Sequence, residues 1–491
     1  MNLIYRQIAC IASVIAVTGL ASTLVGFSQS TPPTSEKIVA TIDLTNTRQP
    51  MLGFGGSQTY NGDQLLAEEG RDAVYKALFE DLKLDYFRIR NYYDYEGQKE
   101  NYEKQLKDFV GGAIKYGSVP TRNKPATKLI FTSWSPPAYL KSNKRVNGTE
   151  DGTAEGKKNV TLAKDASGKF IYDGFANWWL ASLKDFNRLT GRYPDLITLQ
   201  NELDIAVSYE GCEFLGTEGK TADGYEFAGY DQALAAVHAK LQKELGKDAP
   251  GITGPETFTI RLDSGDSQVK RYLDPDTDWG KKSYNLLEAV SFHIYGNGAE
   301  QQNPEQYRKA LTRLKEVYRP NNSGKLLMQT EFLEGVDLIQ QASMMSDAFV
   351  YGDISAYFVW MSARVNPNPG NALVYYNPSD KSVERRGRFY AVKHFSNFIG
   401  QGWRRVEASL TNDQLRIAAF RKDDGSQTTI VLINPTSSPQ TVTLPNQEFK
   451  KSEQFRSSET EAGEKFRSLG PLVNNEVALL PRSVVTVHYS N

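Results

Sequence analysis

The sequence predicts a (β/α)8 TIM barrel with an appended antiparallel β-sandwich, and three observations predict it. Short apolar runs alternate with amphipathic helical stretches between residues 51 and 400. Several of those runs end in polar or aromatic residues, where a barrel gathers its reactive groups. Beyond Gly402 the helices stop, and strand-like segments follow one another with only turns between them.

At 491 residues the chain is longer than one hydrophobic core usually serves, so a large domain and a smaller one are expected. Residues 1–30 stand apart. Arg6 precedes an apolar run from Ile8 to about Phe27, and a polar, proline-containing stretch, Ser28 to Glu36, follows. This is the layout of a secretory signal peptide. No clean small-x-small cleavage site is visible, so an N-terminal membrane anchor stays open beside it. With the leader removed, Cys212 is the one cysteine left, which excludes an internal disulfide. A secreted, periplasmic or cell-envelope protein is expected.

The next segment, "KIVATIDL" at Lys37–Leu44, reads as a strand that residues 37–50 contribute to the sandwich. The barrel then occupies residues 51–400. Its strands are expected at Met51–Gly55, Tyr86–Arg90, Lys128–Ser133, Leu196–Asn201, Gly251–Gly254, Ala289–Tyr295, Leu326–Glu331 and Ser355–Trp360. Helical spacing marks Gln98–Tyr116, Phe175–Leu189, Tyr230–Leu245 and Pro304–Val317, with Gly191 and Gly246 at C-cap positions. Residues 401–491 form the sandwich, with Asp424-Gly425 as a hairpin signal. A doubly wound sheet is the alternative, but no convincing phosphate-binding turn supports it. The Gly53, Gly55, Gly56 cluster lacks the third glycine of G-x-G-x-x-G and is read as a tight turn at the first strand.

Polar strand ends are the functional signal. Arg88 and Arg90 close the second strand and Trp134 follows the third. Asn201 and Glu202 close the fourth, His293 and Tyr295 the sixth, Glu331 the seventh and Trp360 the eighth. Period-two geometry puts Arg88 with Arg90, Gln200 with Glu202, and His293 with Tyr295 on shared faces. One polar strand end is usually a turn starter, but coincidence across five strands is harder to dismiss. Glu202 and Glu331 end otherwise apolar strands, and two acids facing each other across a barrel mouth suit glycosidic-bond cleavage. The bland reading makes them structural acids paired with Arg88 or Arg90. Asp204 reads as a loop acid.

Composition adds exclusions. The net charge of −1 gives no reason to expect nucleic acid or an anionic membrane surface as a partner. Four dispersed histidines provide no ligand spacing, so neither a metal nor another cofactor is expected. The 26 Tyr, 23 Phe and 6 Trp leave enough aromatics beyond the core to stack on sugar rings. A carbohydrate substrate and a monomer are expected.

The motifs "GFGGS", "SWSPPAYLKSN", "LQNELD", "GPETF", "SFHIYG" and "LMQTEF" occur in the order seen in glycoside hydrolase family 30, which the chain resembles over about residues 40 to 491. The resemblance implies a retaining (β/α)8 glycosidase with a side β-sandwich. It implies Glu202 as general acid/base, Glu331 as nucleophile, and Arg88 as the arginine that hydrogen-bonds the nucleophile. Asn201 would hold the sugar 2-hydroxyl, with Trp134, His293, Tyr295 and Trp360 lining the sugar site. Carboxyl groups about 5–5.5 Å apart are expected for retention.

Leu203 departs from the proline usual after the acid/base and is expected to loosen the loop there. Arg364 aligns with an arginine that xylanase members use for glucuronate, although it also reads as a solvated loop charge. Xylan and β-1,6-linked glucan or galactan are the leading substrates, with a glucosylceramidase-like β-glucosidase as alternative. A non-hydrolysing carbohydrate-binding barrel is the reading outside enzyme chemistry.

Overall fold

The computed structural model describes residues 37–118, 124–149, 160–296, 303–332, 337–366, 371–459 and 463–491. The predicted leader, residues 1–30, lies outside them. No helix among the described residues is long and apolar enough to cross a membrane.

Eight parallel strands close into a barrel: β1 Gly53–Gln58, β2 Tyr86–Asn91, β3 Lys128–Ser133, β4 Leu196–Thr198, β5 Gly251–Thr257, β6 Ala289–His293, β7 Leu326–Glu331 and β8 Ile354–Trp360. Neighbours around the ring follow chain order, and β8 pairs with β1 to close it. Most of their residues are buried, because the strands pack inward on one another and outward on the helices. Tyr86, Ile130, Met328 and Phe358 fill the barrel interior. A much larger apolar cluster lies between strands and helices and includes Phe54, Phe131, Trp179, Val290 and Phe349.

The predicted helices form as Lys99–Gly117, Tyr172–Thr190, Tyr230–Leu245 and Pro304–Tyr318, with Gly191 and Gly246 at their C-caps. The glycines of β1 need a corrected explanation. They lie within the strand itself rather than in a turn. A Cβ on Gly55 would stand 2.2 Å from the Phe358 ring, and Gly53 adopts φ +124° with Asp85 against it. The lack of a side chain at Gly55 lets Phe358 enter the barrel core.

Five strand ends also differ from expectation. β1 and β5 run three residues further, to Gln58 and Thr257, and β2 one further, to Asn91, while β4 stops at Thr198 and β6 at His293, short of Tyr295. Gln200 to Glu202 therefore lie in a turn, not on a strand face.

The C-terminal strands and Ile38–Pro50 build one curled nine-stranded sheet. The long strand Ile38–Pro50 joins its two layers. It pairs antiparallel with Trp403–Leu410 and, at Ile38 and Val39, parallel with Gln440–Thr443. The sheet is thus antiparallel except at that pair. Ile417, Ile430, Leu432, Val442, Val477 and Val485 fill the space between the layers. The Asp424-Gly425 turn connects Arg416–Lys422 to Gln427–Asn434, with Gly425 at φ +72°.

Candidate active site

The barrel scaffold brings most of the predicted residues together at the C-terminal ends of its strands. Arg88 on β2 is fully buried and acts as the hub. Its Nη1 donates to Glu331 Oε2 at 2.5 Å, its Nη2 to Asn201 Oδ1 at 2.7 Å, and its Nε to Thr132 Oγ1 at 3.2 Å. Nη2 also lies 3.1 Å from Glu256 Oε2. Burial works against the guanidinium charge, but Glu256 and Glu331 overcome it and hold Arg88 firmly cationic.

Glu331, at the end of β7, is only 5% exposed. Tyr295 donates its hydroxyl to Oε1 of this carboxylate at 3.2 Å, opposite Arg88 on Oε2. Burial raises the Glu331 pKa on balance, and the fixed charge of Arg88 opposes it. Glu202 has different partners. His293 Nδ1 lies 3.0 Å from its Oε1, and the Tyr209 hydroxyl donates to its Oε2 at 2.7 Å. Burial pushes Glu202 up to about 7, against the lowering effect of Tyr209 and the more distant charge of Arg88. His293 is fully buried, and that burial pushes it down to about 4, so its ring is neutral at pH 7.

One carboxylate oxygen of Glu202, one of Glu331 and one ring nitrogen of His293 lie within 4.8 Å of one another. These are the one set among the described residues spaced to hold a metal ion. A divalent cation there would meet the fixed charge of Arg88, 2.5 Å from Glu331. The arrangement instead offers two carboxyl groups facing across a gap, one paired with a cation and one held near neutrality.

Aromatic rings frame the gap. Trp134 lies under the Arg88 guanidinium at 4.6 Å, and Tyr60 packs edge-on against both Trp134 and Trp360. Trp360 is tied in place through its indole N–H to the Thr59 hydroxyl. Tyr295 stacks on Phe258 with ring centroids 5.2 Å apart. Arg364 is placed differently. It lies half-buried on the short strand Ala363–Val365 beyond β8, tied to the Asn371 carbonyl at 3.3 Å.

The turn after β4 explains how a core strand delivers a carboxylate. Glu202 adopts φ +47°, a left-handed conformation unusual for a non-glycine residue. Its N–H donates to the Glu256 carbonyl at 3.0 Å. Glu256 is itself left-handed, at φ +65°. Asp204 is not a plain loop acid. It accepts the Phe258 N–H at 2.7 Å, and burial raises its carboxyl to about 7. Leu203 does not loosen the turn either. Its side chain is fully buried in the main core, and its carbonyl accepts the Phe214 N–H at 3.1 Å.

Sequence reasoning missed Glu256, Tyr60, Tyr209 and Glu210. For the first two, the expected β5 and β1 ended two or more residues too early, although the "GPETF" motif contained Glu256. Tyr209 and Glu210 come from the loop after β4, which has no periodicity to mark it.

No family model matches the chain. The chain is similar to the glucuronoxylanase XynC of Bacillus subtilis, 22% identical over 410 residues that cover 81% of this chain and 78% of the relative. It is similar to the same degree, 22% over 438 residues, to a putative glucosylceramidase of Caenorhabditis elegans, covering 81% of this chain and 76% of the relative. Among solved structures, a glycoside hydrolase family 30 subfamily 8 xylanase from Clostridium acetobutylicum superposes with a TM-score of 0.64 at 21% identity. That match covers 92% of this chain and all of the xylanase. An endo-β1,6-glucanase matches with a TM-score of 0.65 at 16% identity, covering 92% of this chain and 94% of the glucanase. The chain is thus glycoside hydrolase family 30-like in sequence and in fold.

Proposed function

We propose that the chain is a retaining β-glycoside hydrolase of the family 30 type, cleaving a β-linked glycan at the barrel mouth. The observation that carries this reading is the pair Glu202 and Glu331, with carboxylate oxygens within 4.8 Å and unequal electrostatic surroundings. That closeness is nearer the carboxyl separation of retaining glycosidases, about 5–5.5 Å, than the about 6.5–9.5 Å that inversion uses.

Glu331 is the nucleophile. Arg88 favours its carboxylate form against the burial that raises its pKa, and Arg88 and the Tyr295 hydroxyl fix both oxygens, so an electron pair on Oε1 or Oε2 is aimed at the anomeric carbon. As the C–O bond to Glu331 forms, the glycosidic C–O bond breaks, and Glu202 gives its proton to the departing oxygen. Glu202, now a carboxylate, takes a proton from water. That water attacks the anomeric carbon and releases Glu331 with net retention. A Glu202 pKa of about 7 leaves it substantially protonated near neutral pH. Asn201, Trp134, His293, Tyr295 and Trp360 hold the sugar.

The substrate is a β-glycan, with xylan and β-1,6-linked glucan or galactan first, and a β-glucoside of the glucosylceramide type as the alternative. Arg364, half-buried on the short strand beyond β8, is the candidate contact for a glucuronate side group. The leader in residues 1–30 supports export, so the glycan is met outside the cytoplasm.

The test has two parts. Xylans, β-1,6-glucan, β-1,6-galactan and aryl β-glycosides are screened, and the anomer released first is followed by NMR. A 2-deoxy-2-fluoro glycoside is then used to trap the glycosyl-enzyme, with the label mapped by mass spectrometry. Retention and a label on Glu331 are expected. Inversion, or a label elsewhere, contradicts the mechanism.

A further inference from the structure

Two aromatic side chains are largely exposed among the described residues, Tyr139 at 56% and Tyr209 at 41%, and both lie on the loops around the barrel mouth. Tyr209 touches Glu202. Tyr139 lines a neighbouring cleft of ≈ 830 Å³, between the loops after β2 and β3 and the tip of the loop after β4. We propose that this cleft is a second sugar-binding subsite, holding a neutral sugar unit of the substrate chain against the Tyr139 ring. The proposal rests on the glycosidase reading above and deepens it.

The cleft is built rather than incidental. Tyr139 is oriented by its hydroxyl, which donates to Asp94 at 2.9 Å, and Tyr95 on the cleft wall donates to the Ser135 carbonyl at 2.6 Å. The fully buried Lys141 clamps the loops together by donating to the carbonyls of Val146, Asn147 and Gly211 at 2.9, 3.0 and 2.5 Å. Asn147 and Glu210 add an antiparallel bridge between the same loops. The ring of Tyr139 is therefore held out into solvent by a rigid frame. An exposed, oriented ring beside hydrogen-bonding groups matches the apolar face and hydroxyl rim of a pyranose.

The cleft is also tied to the residues that frame the catalytic gap. Glu210, on its wall, follows Tyr209 in the chain and accepts from Arg90 at 3.0 Å and from the Tyr60 hydroxyl at 2.6 Å. Tyr60 is the ring that packs against Trp134 and Trp360. Glu210 and Tyr60 thus link the two spaces, and the proposed subsite takes the part of a chain that extends from Glu202 and Glu331 toward Tyr139. Charge selects the sugar. Among the described lining residues, Arg90, Lys144 and Arg145 are balanced by Asp94, Glu96 and Glu210, three against three, which leaves no excess cation there for a uronate.

Calorimetry on the Glu331→Gln protein tests this with β-1,6-gluco-oligosaccharides, xylo-oligosaccharides and uronate-bearing xylo-oligosaccharides of one to four units. Affinity for the neutral chains is expected to rise on the order of ten-fold beyond the first unit. The added Tyr139→Ala exchange should erase that gain and Tyr139→Phe should keep it. In the otherwise wild-type enzyme, Tyr139→Ala should lower kcat/KM for oligosaccharides relative to aryl monoglycosides by a similar factor. A gain that survives Tyr139→Ala, or a Tyr139-dependent gain that is larger for the uronate-bearing chains, overturns the subsite while leaving the glycosidase reading intact. Absence of hydrolysis by wild type together with absence of sugar binding overturns both.

Discussion

His293 at the barrel mouth and His394, in the helix Gly387–Ser396 packed on the sandwich, are both fully buried. Burial pushes both rings down, to about 4 and about 3. Their partners differ. His394 has both nitrogens satisfied by neutral hydroxyls, Thr486 at 2.8 Å and Ser457 at 2.9 Å. His293 has Glu202 on one nitrogen. The other has no hydrogen-bond partner among the described residues, and Glu331 and Glu256 lie 3.9 and 4.0 Å from it. The buried arginines repeat the contrast. Arg405, on the sandwich strand Trp403–Leu410, is shared among Gln49, Asp353, Glu407 and a carbonyl, and Glu407 has Arg48 as a second cation. Arg88 faces Glu256 and Glu331, with a third carboxyl, Glu202, close by. Where buried polar groups close on one another they serve the fold. Where acids outnumber their cation around an open gap, the surplus is available for chemistry.

The most severe way to test that contrast is to remove the acids. Glu331→Gln should abolish hydrolysis, and Glu202→Gln should lower kcat by about 10²–10⁴-fold for substrates with poor leaving groups. Initial rates on the best glycan check both. Arg88→Met should be the largest stability loss at the mouth, about 3–5 kcal/mol, because it leaves Glu256 and Glu331 buried without their cation. Chemical unfolding measures it. His394→Ala leaves the Thr486 and Ser457 hydroxyls short of a partner and should cost about 1–3 kcal/mol. Its kcat per folded molecule should stay at the wild-type value. Loss of activity in His394→Ala at an unchanged melting temperature would break the comparison.

The same contrast decides what was legible in the sequence. Every barrel strand was readable because β-branched and apolar runs such as Leu326–Met328 and Val290–Phe292 cannot be solvated. The sandwich strand at Ile38 was readable for the same reason. Arg88, Glu202, His293 and Glu331 were readable because a charge at the end of an apolar strand breaks the pattern. The turn that carries Glu202 was not readable. Its φ of +47° and its link to Glu256 come from tertiary packing between two strand ends, which no local propensity encodes. Leu203 illustrates the limit. In the chain it is an exchanged loop residue, whereas in the fold it is a fully buried anchor.

A finer test uses stability against pH. Glu202 rises from 4.5 to about 7 in the folded protein because burial disfavours its charge. The native state therefore holds that proton more tightly than the unfolded chain. This contribution to stability is complete below pH 4.5 and is lost as pH rises through about 7. Glu202→Gln removes the ionisation, so it should raise the melting temperature above pH 7 and change it little at pH 4.5, while activity falls. Thermal melts at the two pH values check this. An equal shift at both would assign the effect to packing.

The smallest expected effect is the most specific to the mouth. Tyr209 is exposed, yet its hydroxyl donates to Glu202 Oε2 at 2.7 Å, a bond that favours the carboxylate and so opposes burial. Tyr209→Phe removes that donor, and the Glu202 pKa should rise further. A proton donor with a higher pKa stays protonated to higher pH, so the alkaline limb of the kcat/KM profile should move up by about 0.5–1 pH unit. The acid limb, set by Glu331 and its partners Arg88 and Tyr295, should stay where it is. A profile that shifts on both limbs would mean that Tyr209 acts on the whole site through the loop. An alkaline limb that does not move would mean that Glu202 is not the group titrating there.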